Sequence, residues 1–175
     1  MQTRFLIITG MSGAGKTQVV RTLEDLKYFC IDNLPAALIP KFAELCRQTS
    51  ESNVALVVDV RGGQFFDKLL QVLDEIKASG QKYELLFLDA DDATLVRRYK
   101  ETRRRHPLGD SETLLDNLAQ ERELLAPLLE KSTYIINTTD LNSSELKNRV
   151  RELFSTDNER ERMGIVVRSF GFKYG

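Results

Sequence analysis

The sequence predicts an α/β domain built on a mainly parallel, five-stranded sheet with helices on both faces. Three observations predict it. Short apolar runs recur along the chain with amphipathic, helix-spaced stretches between them, the alternation that builds parallel sheets. Two of those runs, VALVVDV and ELLFLDAD, are apolar almost throughout, as strands covered on both faces are. The first run, FLIIT, breaks directly into the glycine-rich GMSGAGKT and then into a helical pattern.

Strands are expected at 5–9, 28–31, 54–60, 84–88 and 134–137. The first helix, 16–27, begins at the Lys-Thr pair. The second, 36–48, has Pro35 near its start and Leu38, Phe42 and Leu45 as its apolar face. The third, 64–79, repeats Phe66, Leu69, Leu70, Leu73 and Ile76 and is closed by Gly80. Helices at 94–104 and 111–130 come next. The last, 143–154, opens on SSEL and carries Leu146, Val150 and Leu153. Residues 1–155 therefore form one domain. Residues 156–164, TDNERERMG, read as a polar linker. The remaining IVVRSFGFKYG is too short to fold alone and reads as the start of a further domain or as an extra edge strand.

Bulk properties narrow the function classes. The chain of 175 residues is long enough for one domain with a proper core. Its formal net charge of −1 excludes a generic polyanion binder, so any nucleic-acid surface has to be a local patch. Two cysteines without metal-ligand spacing argue against a disulfide framework and a zinc site. The apolar runs are too short to span a bilayer, and Phe5 to Ile8 is too short for a signal-peptide core. A cytoplasmic protein with no membrane partner is expected.

Residues 10–17, GMSGAGKT, fit G-x-x-x-x-G-K-[ST], the phosphate-binding P-loop. The glycines Gly10, Gly13 and Gly15 let the backbone turn and approach an anion closely. With Met11, Ser12 and Ala14 they form a nest of inward N–H groups, and the helix after the loop adds its positive end. Lys16 is placed to reach the β- and γ-phosphates, and Thr17 to ligate Mg²⁺. The motif sits between an expected strand and an expected helix, the context it requires. A three-layer P-loop NTPase fold is the result.

Such a loop needs a carboxylate at a strand end for the metal. Asp32, Asp59 and Asp89 all end strands, at the edge where open α/β sheets gather ligands. Asp59 ends the most apolar strand, which should be central and beside the P-loop strand, and is the preferred Mg²⁺ residue. Asp89 is the alternative, while Asp91 and Asp92 read as ordinary helix-start residues. Asp32, in CIDNLP, is either a helix cap or a substrate-side carboxylate facing the γ-phosphate. The segment RRYKETRRRH, 97–106, reads as a mobile lid whose Arg103 and Arg104 close over phosphates. A solvated helix face and an RNA-contact patch are the alternatives. His106 has no nucleophilic or acidic partner in view and reads as a loop residue. Asn137 and Thr138, at the end of the last strand, read as base contacts or as turn formers.

GMSGAGKT, YFCIDNLP, VVDVRGG, LFLDADDATLVRRYKETRRRHPL and INTTDL together resemble the RapZ/YvcJ family of bacterial nucleotide-binding proteins, also called RNase adapter proteins. The resemblance runs over nearly the whole chain, and CIDNLP and RYKETRRRHPL are its most distinctive parts. It implies ATP and GTP binding with weak hydrolysis and a kinase-like strand order, 2-3-1-4-5. Residues 10–17 match the family's ATP stretch. Asp59, Val60, Arg61 and Gly62 match the stretch assigned to GTP. Some members bind a small regulatory RNA, mainly through a second domain, and present it to a ribonuclease. SFGFKYG resembles the junction where that second domain begins, so the chain is expected to be the N-terminal domain of a longer protein.

Three function classes compete: a regulatory nucleotide-binding domain with slow NTPase activity, a small-molecule kinase, and an RNA-binding module using residues 97–105. The nucleotide preference, the acceptor and the oligomeric state, a homo-oligomer included, are left open by the sequence.

Overall fold

The structure, a computed structural model, describes residues 4–48, 53–58, 63–80, 82–102, 107 and 113–155. Five strands form one sheet: β1 (Arg4–Gly10), β2 (Phe29–Asp32), β3 (Asn53–Val57), β4 (Glu84–Asp89) and β5 (Tyr134–Asn137). Their order is β2-β3-β1-β4-β5 and every pairing is parallel. The expected fold and the expected order 2-3-1-4-5 are both present.

The middle strand is the one that feeds the glycine-rich loop. Ile7 of β1 lies opposite Leu56 of β3 on one side and Leu85 of β4 on the other. Leu6, Ile7, Ile8, Leu56, Leu85 and Leu86 are fully buried, which is why these runs lack polar alternation. The run VALVVD, expected to be central, pairs directly with β1.

Among the described residues six α-helices cover the sheet: α1 (Lys16–Asp25), α2 (Ile39–Gln48), α3 (Gly63–Ala78), α4 (Asp92–Thr102), α5 (Leu114–Glu130) and α6 (Ser143–Phe154). Right-handed crossovers alternate face when the chain reverses direction across the sheet. Accordingly α1 packs against α6, whereas α2, α3 and α5 pack in succession on one another. Among the described residues no helix is long and apolar enough to cross a membrane.

The second helix departs from expectation. Its first three residues, Ala36–Leu38, form a 3₁₀ turn instead of α-helix. A 3₁₀ turn advances 120° per residue against 100°, so it shifts the phase of the α-helix after it. Ile39, Ala43 and Cys46 become the buried stripe, and Leu38 and Leu45 are exposed. Phe42 is half-buried and stacks on the exposed Phe29 ring, 6.2 Å between centroids. Among the described residues there is no disulfide, and burial pushes the Cys30 thiol up to about 11.

The last helix shows how local sequence fixes an end. Asn142, not the serines after it, is the cap. Its Oδ1 accepts from the N–H groups of Ser144 (2.9 Å) and Glu145 (3.0 Å), and its own N–H donates to Glu145 Oε2 (2.8 Å). This is a complete capping box. Asn142→Ala is expected to cost about 1 kcal/mol. Thermal unfolding should register a fall of roughly 3 °C.

At the N-terminal edge of the sheet, Arg4 pairs with Glu84 and lies 5.1 Å from the centre of the Phe154 ring at the end of α6. It also donates to the Tyr28 hydroxyl (3.2 Å), which in turn donates to the Phe154 carbonyl (3.3 Å). Tyr134 completes the cluster by donating to Glu84 (3.1 Å).

Candidate functional site

The site lies at the opposite, C-terminal edge. There β1 ends at Gly10 and the chain turns through residues 11–15 into α1. Gly10 has φ 133° and Gly15 φ 105°, in the left-handed half of the map that only glycine enters freely. The requirement at Gly10 is also steric, since a Cβ there would sit 2.1 Å from the Leu88 carbonyl oxygen. Met11 N–H donates to that same oxygen (2.9 Å), so the loop leaves the sheet pressed against β4.

The loop's polar groups divide into used and open. Ala14 N–H donates to Met11 O (3.0 Å), and Lys16 Nζ donates to Gly10 O (2.7 Å) and Met11 O (3.2 Å). Among the described residues no protein acceptor takes up the N–H groups of Gly13, Gly15 or Thr17. The N-terminus of α1 has Gly15 at its cap and no side-chain cap, unlike α5 and α6, which are capped by Thr113 and Asn142. Open N–H groups at a helix start form an anion site. Thr17 stands exposed in that first turn.

Two side chains hold the loop: Arg98, from the basic segment 97–106, and Glu121, which lies outside the expected site residues. Arg98, on α4, donates to Gly13 O (3.1 Å), Thr138 Oγ1 (2.9 Å) and Thr138 O (2.7 Å). Burial and the neighbouring Arg97 charge lower its pKa from the usual arginine value. Glu121, on α5, places both carboxylate oxygens 3.1 Å from Ser12 N, and Oε1 also accepts from Ser12 Oγ at 2.6 Å. One signal for Glu121 is present in the sequence. It falls at the helical spacing of Leu118, Leu125 and Leu128, so an acidic residue occupies the buried phase of α5.

An open cleft of about 890 Å³ adjoins the loop. Its walls are residues 13–15, the α4 residues Arg97, Arg98 and Glu101, and the segment 139–143. Thr138 lies beneath this cleft. Its hydroxyl is fully buried and lies within hydrogen-bond reach of the carbonyls of Ala14 (3.0 Å) and Asp89 (3.1 Å). Asn137 Oδ1 accepts from Thr139 N–H (2.9 Å), the geometry of a turn former. The strand-end segment thus reaches the cleft through residues 139–142.

The carboxylates sort differently. Asp91 Oδ1 accepts from Thr94 N–H (2.7 Å) and starts α4 as expected. Asp89 is engaged: its Oδ1 accepts from Ala90 N–H (2.8 Å) and from Arg122 Nη1 (2.8 Å), and Arg122 also bonds Asp92 (2.9 Å). Asp32 ends β2, exposed, two strands from the loop. It caps no helix: Asn33 turns the chain at φ 61°, and the 3₁₀ turn after it has Pro35 at its cap without a side-chain bond. Asp59, Val60, Arg61 and Gly62, and the lid arginines Arg103 and Arg104 with His106, lie outside the described residues, as does the tail 156–175.

A glycine-rich loop between the central strand and an uncapped helix, in a parallel sheet ordered 2-3-1-4-5, defines a P-loop α/β domain with a kinase-like fold. Solved structures share it. A shikimate kinase from Bacteroides thetaiotaomicron superposes with a TM-score of 0.58 at 21% identity, over 86% of this chain and 97% of that one. A shikimate kinase from Acinetobacter baumannii, in complex with shikimate, gives 0.59 at 18% identity, over 93% and 96%. At such identities the likeness is one of fold.

Sequence comparison is more specific. Residues 3–158 match the RapZ-like N-terminal domain, and the chain belongs to that family. A "Nucleotide-binding protein" of Clostridium botulinum (strain Loch Maree / Type A3) is 50% identical over 98% of this chain and 60% of its own length. One from Desulforudis audaxviator is 51% identical, over 99% and 60%. The chain therefore spans 60% of the length of these relatives.

Proposed function

We propose that this domain binds ATP or GTP with Mg²⁺, hydrolyses it slowly, and serves as the nucleotide-responsive part of a longer cytoplasmic RNase adapter protein. The observation that carries the reading is the open N–H set of Gly13, Gly15 and Thr17 at the uncapped start of α1, beside Lys16. That arrangement suits a phosphate chain. The adjoining cleft then takes the nucleoside, between Arg97 and Arg98 on one side and residues 139–142 on the other. Thr138 supports that wall through Arg98, and Asn137 shapes its turn.

The donor chemistry fits magnesium, which keeps water and takes one or two protein oxygens together with phosphate oxygens. Thr17 offers a hydroxyl and Asp59 a carboxylate. Bound metal would neutralise charge developing on the phosphates. Lys16 would pair with the β- and γ-phosphates, and Arg103 and Arg104 would close over them. In this reading residues 156–175 lead into a second domain, which carries the binding of a small regulatory RNA and its presentation to a ribonuclease. The RapZ-like membership and the relatives' greater length support it.

A second reading is a metabolite kinase. Asp32, exposed at the ligand edge and capping no helix, favours it, being suited to receive an acceptor hydroxyl. The experiment tracks the γ-phosphate. The protein and its Lys16→Ala variant are incubated with Mg²⁺ and γ-labelled ATP or GTP, with and without a small-metabolite extract. Slow release of free phosphate, unchanged by the extract and lost in the variant, is the expected result. Label on a metabolite would replace the NTPase reading by the kinase.

A further inference from the structure

We propose that Asp140 selects the nucleobase, so that the site takes guanine nucleotides in preference to adenine nucleotides. The inference rests on the nucleotide reading above and adds a specificity-determining residue to it.

Asp140 stands at the tip of a turn that the fold holds in place. Leu141 N–H donates to Thr138 O (3.3 Å), which makes Thr139 and Asp140 the two central residues of a β-turn. Several elements pin that turn. Thr138 N–H donates to Asp89 O (2.8 Å) at the end of β4, and Arg98 of α4 donates to the Thr138 carbonyl (2.7 Å). Thr139 N–H donates to Asn137 Oδ1, and the Thr139 hydroxyl accepts from Asp91 N–H (2.9 Å). Asn142 caps α6, so Asp140 has no capping role there. The Asp140 side chain is exposed, and among the described residues no hydrogen bond or ion pair engages it.

The turn lines the cleft beside residues 13–15, and Arg97 lines it from α4. Arg97 is also exposed and, among the described residues, makes no hydrogen bond or ion pair. The other charged groups described on the cleft wall are Asp91, Arg98 and Glu101. Asp91 is taken up by Thr94 N–H, and Arg98 by Gly13 and Thr138. Glu101 has a longer side chain on an exposed helix surface, one turn from Arg97, at the spacing of a helical ion pair. Asp140 is the carboxylate of this wall that the fold both positions and leaves open.

Guanine matches these two walls and adenine does not. The N1–H and the exocyclic N2 amine of guanine are adjacent donors, and a carboxylate accepts both, one on each oxygen. Its O6 and N7 are adjacent acceptors, the edge that an arginine recognises. Adenine presents a single amine at N6 beside an acceptor at N1. Asp140 would accept one hydrogen bond from it and meet the N1 lone pair. The phosphates and Mg²⁺ lie at the loop and are the same for both nucleotides, so their charges do not enter the difference.

The test is equilibrium binding of the Mg²⁺ complexes of GTP, ITP, ATP and XTP to the wild type and to Asp140→Asn, by calorimetry. Inosine lacks the N2 amine, and xanthine carries an oxygen in its place. All four share one triphosphate and one metal, so the differences report the base. The wild type is expected to bind GTP at least about tenfold more tightly than ITP or ATP, the loss of one hydrogen bond to a charged group. In Asp140→Asn, GTP affinity should fall by about tenfold and ATP affinity change by less than about twofold. XTP affinity should rise, because the new amide donates to the xanthine oxygen. Equal binding of GTP and ATP by the wild type overturns the proposal, and that series needs no variant to fold. A variant in which all four affinities fall together also overturns it and makes Asp140 a support for the turn. Failure of all four to bind the wild type would overturn the nucleotide reading itself, and this one with it.

Discussion

Replacing Lys16 by alanine is expected to abolish tight nucleotide binding while the protein still folds. The two effects separate because of where the ammonium sits. Its described contacts include the carbonyls of Gly10 and Met11, inside the loop itself. Lys16 is only half-buried. Hydrogen bonds of this kind contribute about 1 kcal/mol to stability. For a phosphate chain the loss is larger, since a charge-assisted partner disappears from a site otherwise built of N–H dipoles. Nucleotide affinity should fall by about a hundredfold or more, read by calorimetry. The thermal midpoint should drop by no more than roughly 4 °C. A variant that binds ATP as well as the wild type would place the phosphate site elsewhere.

Gly10→Ala is expected to do the reverse and damage the fold before the site. The added methyl would lie 2.1 Å from the Leu88 oxygen and 2.5 Å from the Leu88 nitrogen. Both are backbone atoms of β4, hydrogen-bonded in the middle of the sheet, and no rotamer relieves them. The backbone at φ 133° adds strain for any residue with a Cβ. β1 and β4 would have to separate where the buried core is continuous. The expected cost is more than about 3 kcal/mol, read by denaturant unfolding. Gly80→Ala is the control, because that glycine also has positive φ, 73°, but nothing within 4 Å. It should cost about 1 kcal/mol, the conformational part alone. Similar losses at both positions would mean that the close approach at Leu88 is not the cause.

The two glycines also show what is legible in a sequence. The motif announces that Gly10 matters, because the residue types and spacing are fixed by phosphate chemistry. Sheet order is legible for a related reason. A strand buried on both faces has to be apolar throughout, so the run VALVVD alone places itself beside β1. The α2 face is not legible in the same way, because a 3₁₀ turn changes helical phase without changing composition. Leu38, Phe42 and Leu45 have suitable spacing, yet the register is set by where α-helix begins, at Ile39. Glu121 is legible only in part. Its place in the buried phase of α5 marks it as unusual, but only the tertiary fold brings it to Ser12, 109 positions away in sequence. Asp89 is legible as a strand-end carboxylate, but its engagement with Arg122 depends on a strand end meeting a helix far along the chain.

The cleft and the far edge of the sheet share one element, α6. Asn142, Ser143 and Leu146 form part of the cleft wall, and Phe154 belongs to the aromatic cluster around Arg4 at the far edge. A single capped helix of 12 residues, about 18 Å long, joins them. It is a strut with one end in the ligand cleft and the other under the point where the polypeptide continues. Tyr28 and Arg4 grip that far end, while the capping box fixes the near one. One rigid helix thus ties the wall of the cleft to the backbone at Ser155, with a capped end at the ligand side and a clamped end at the other.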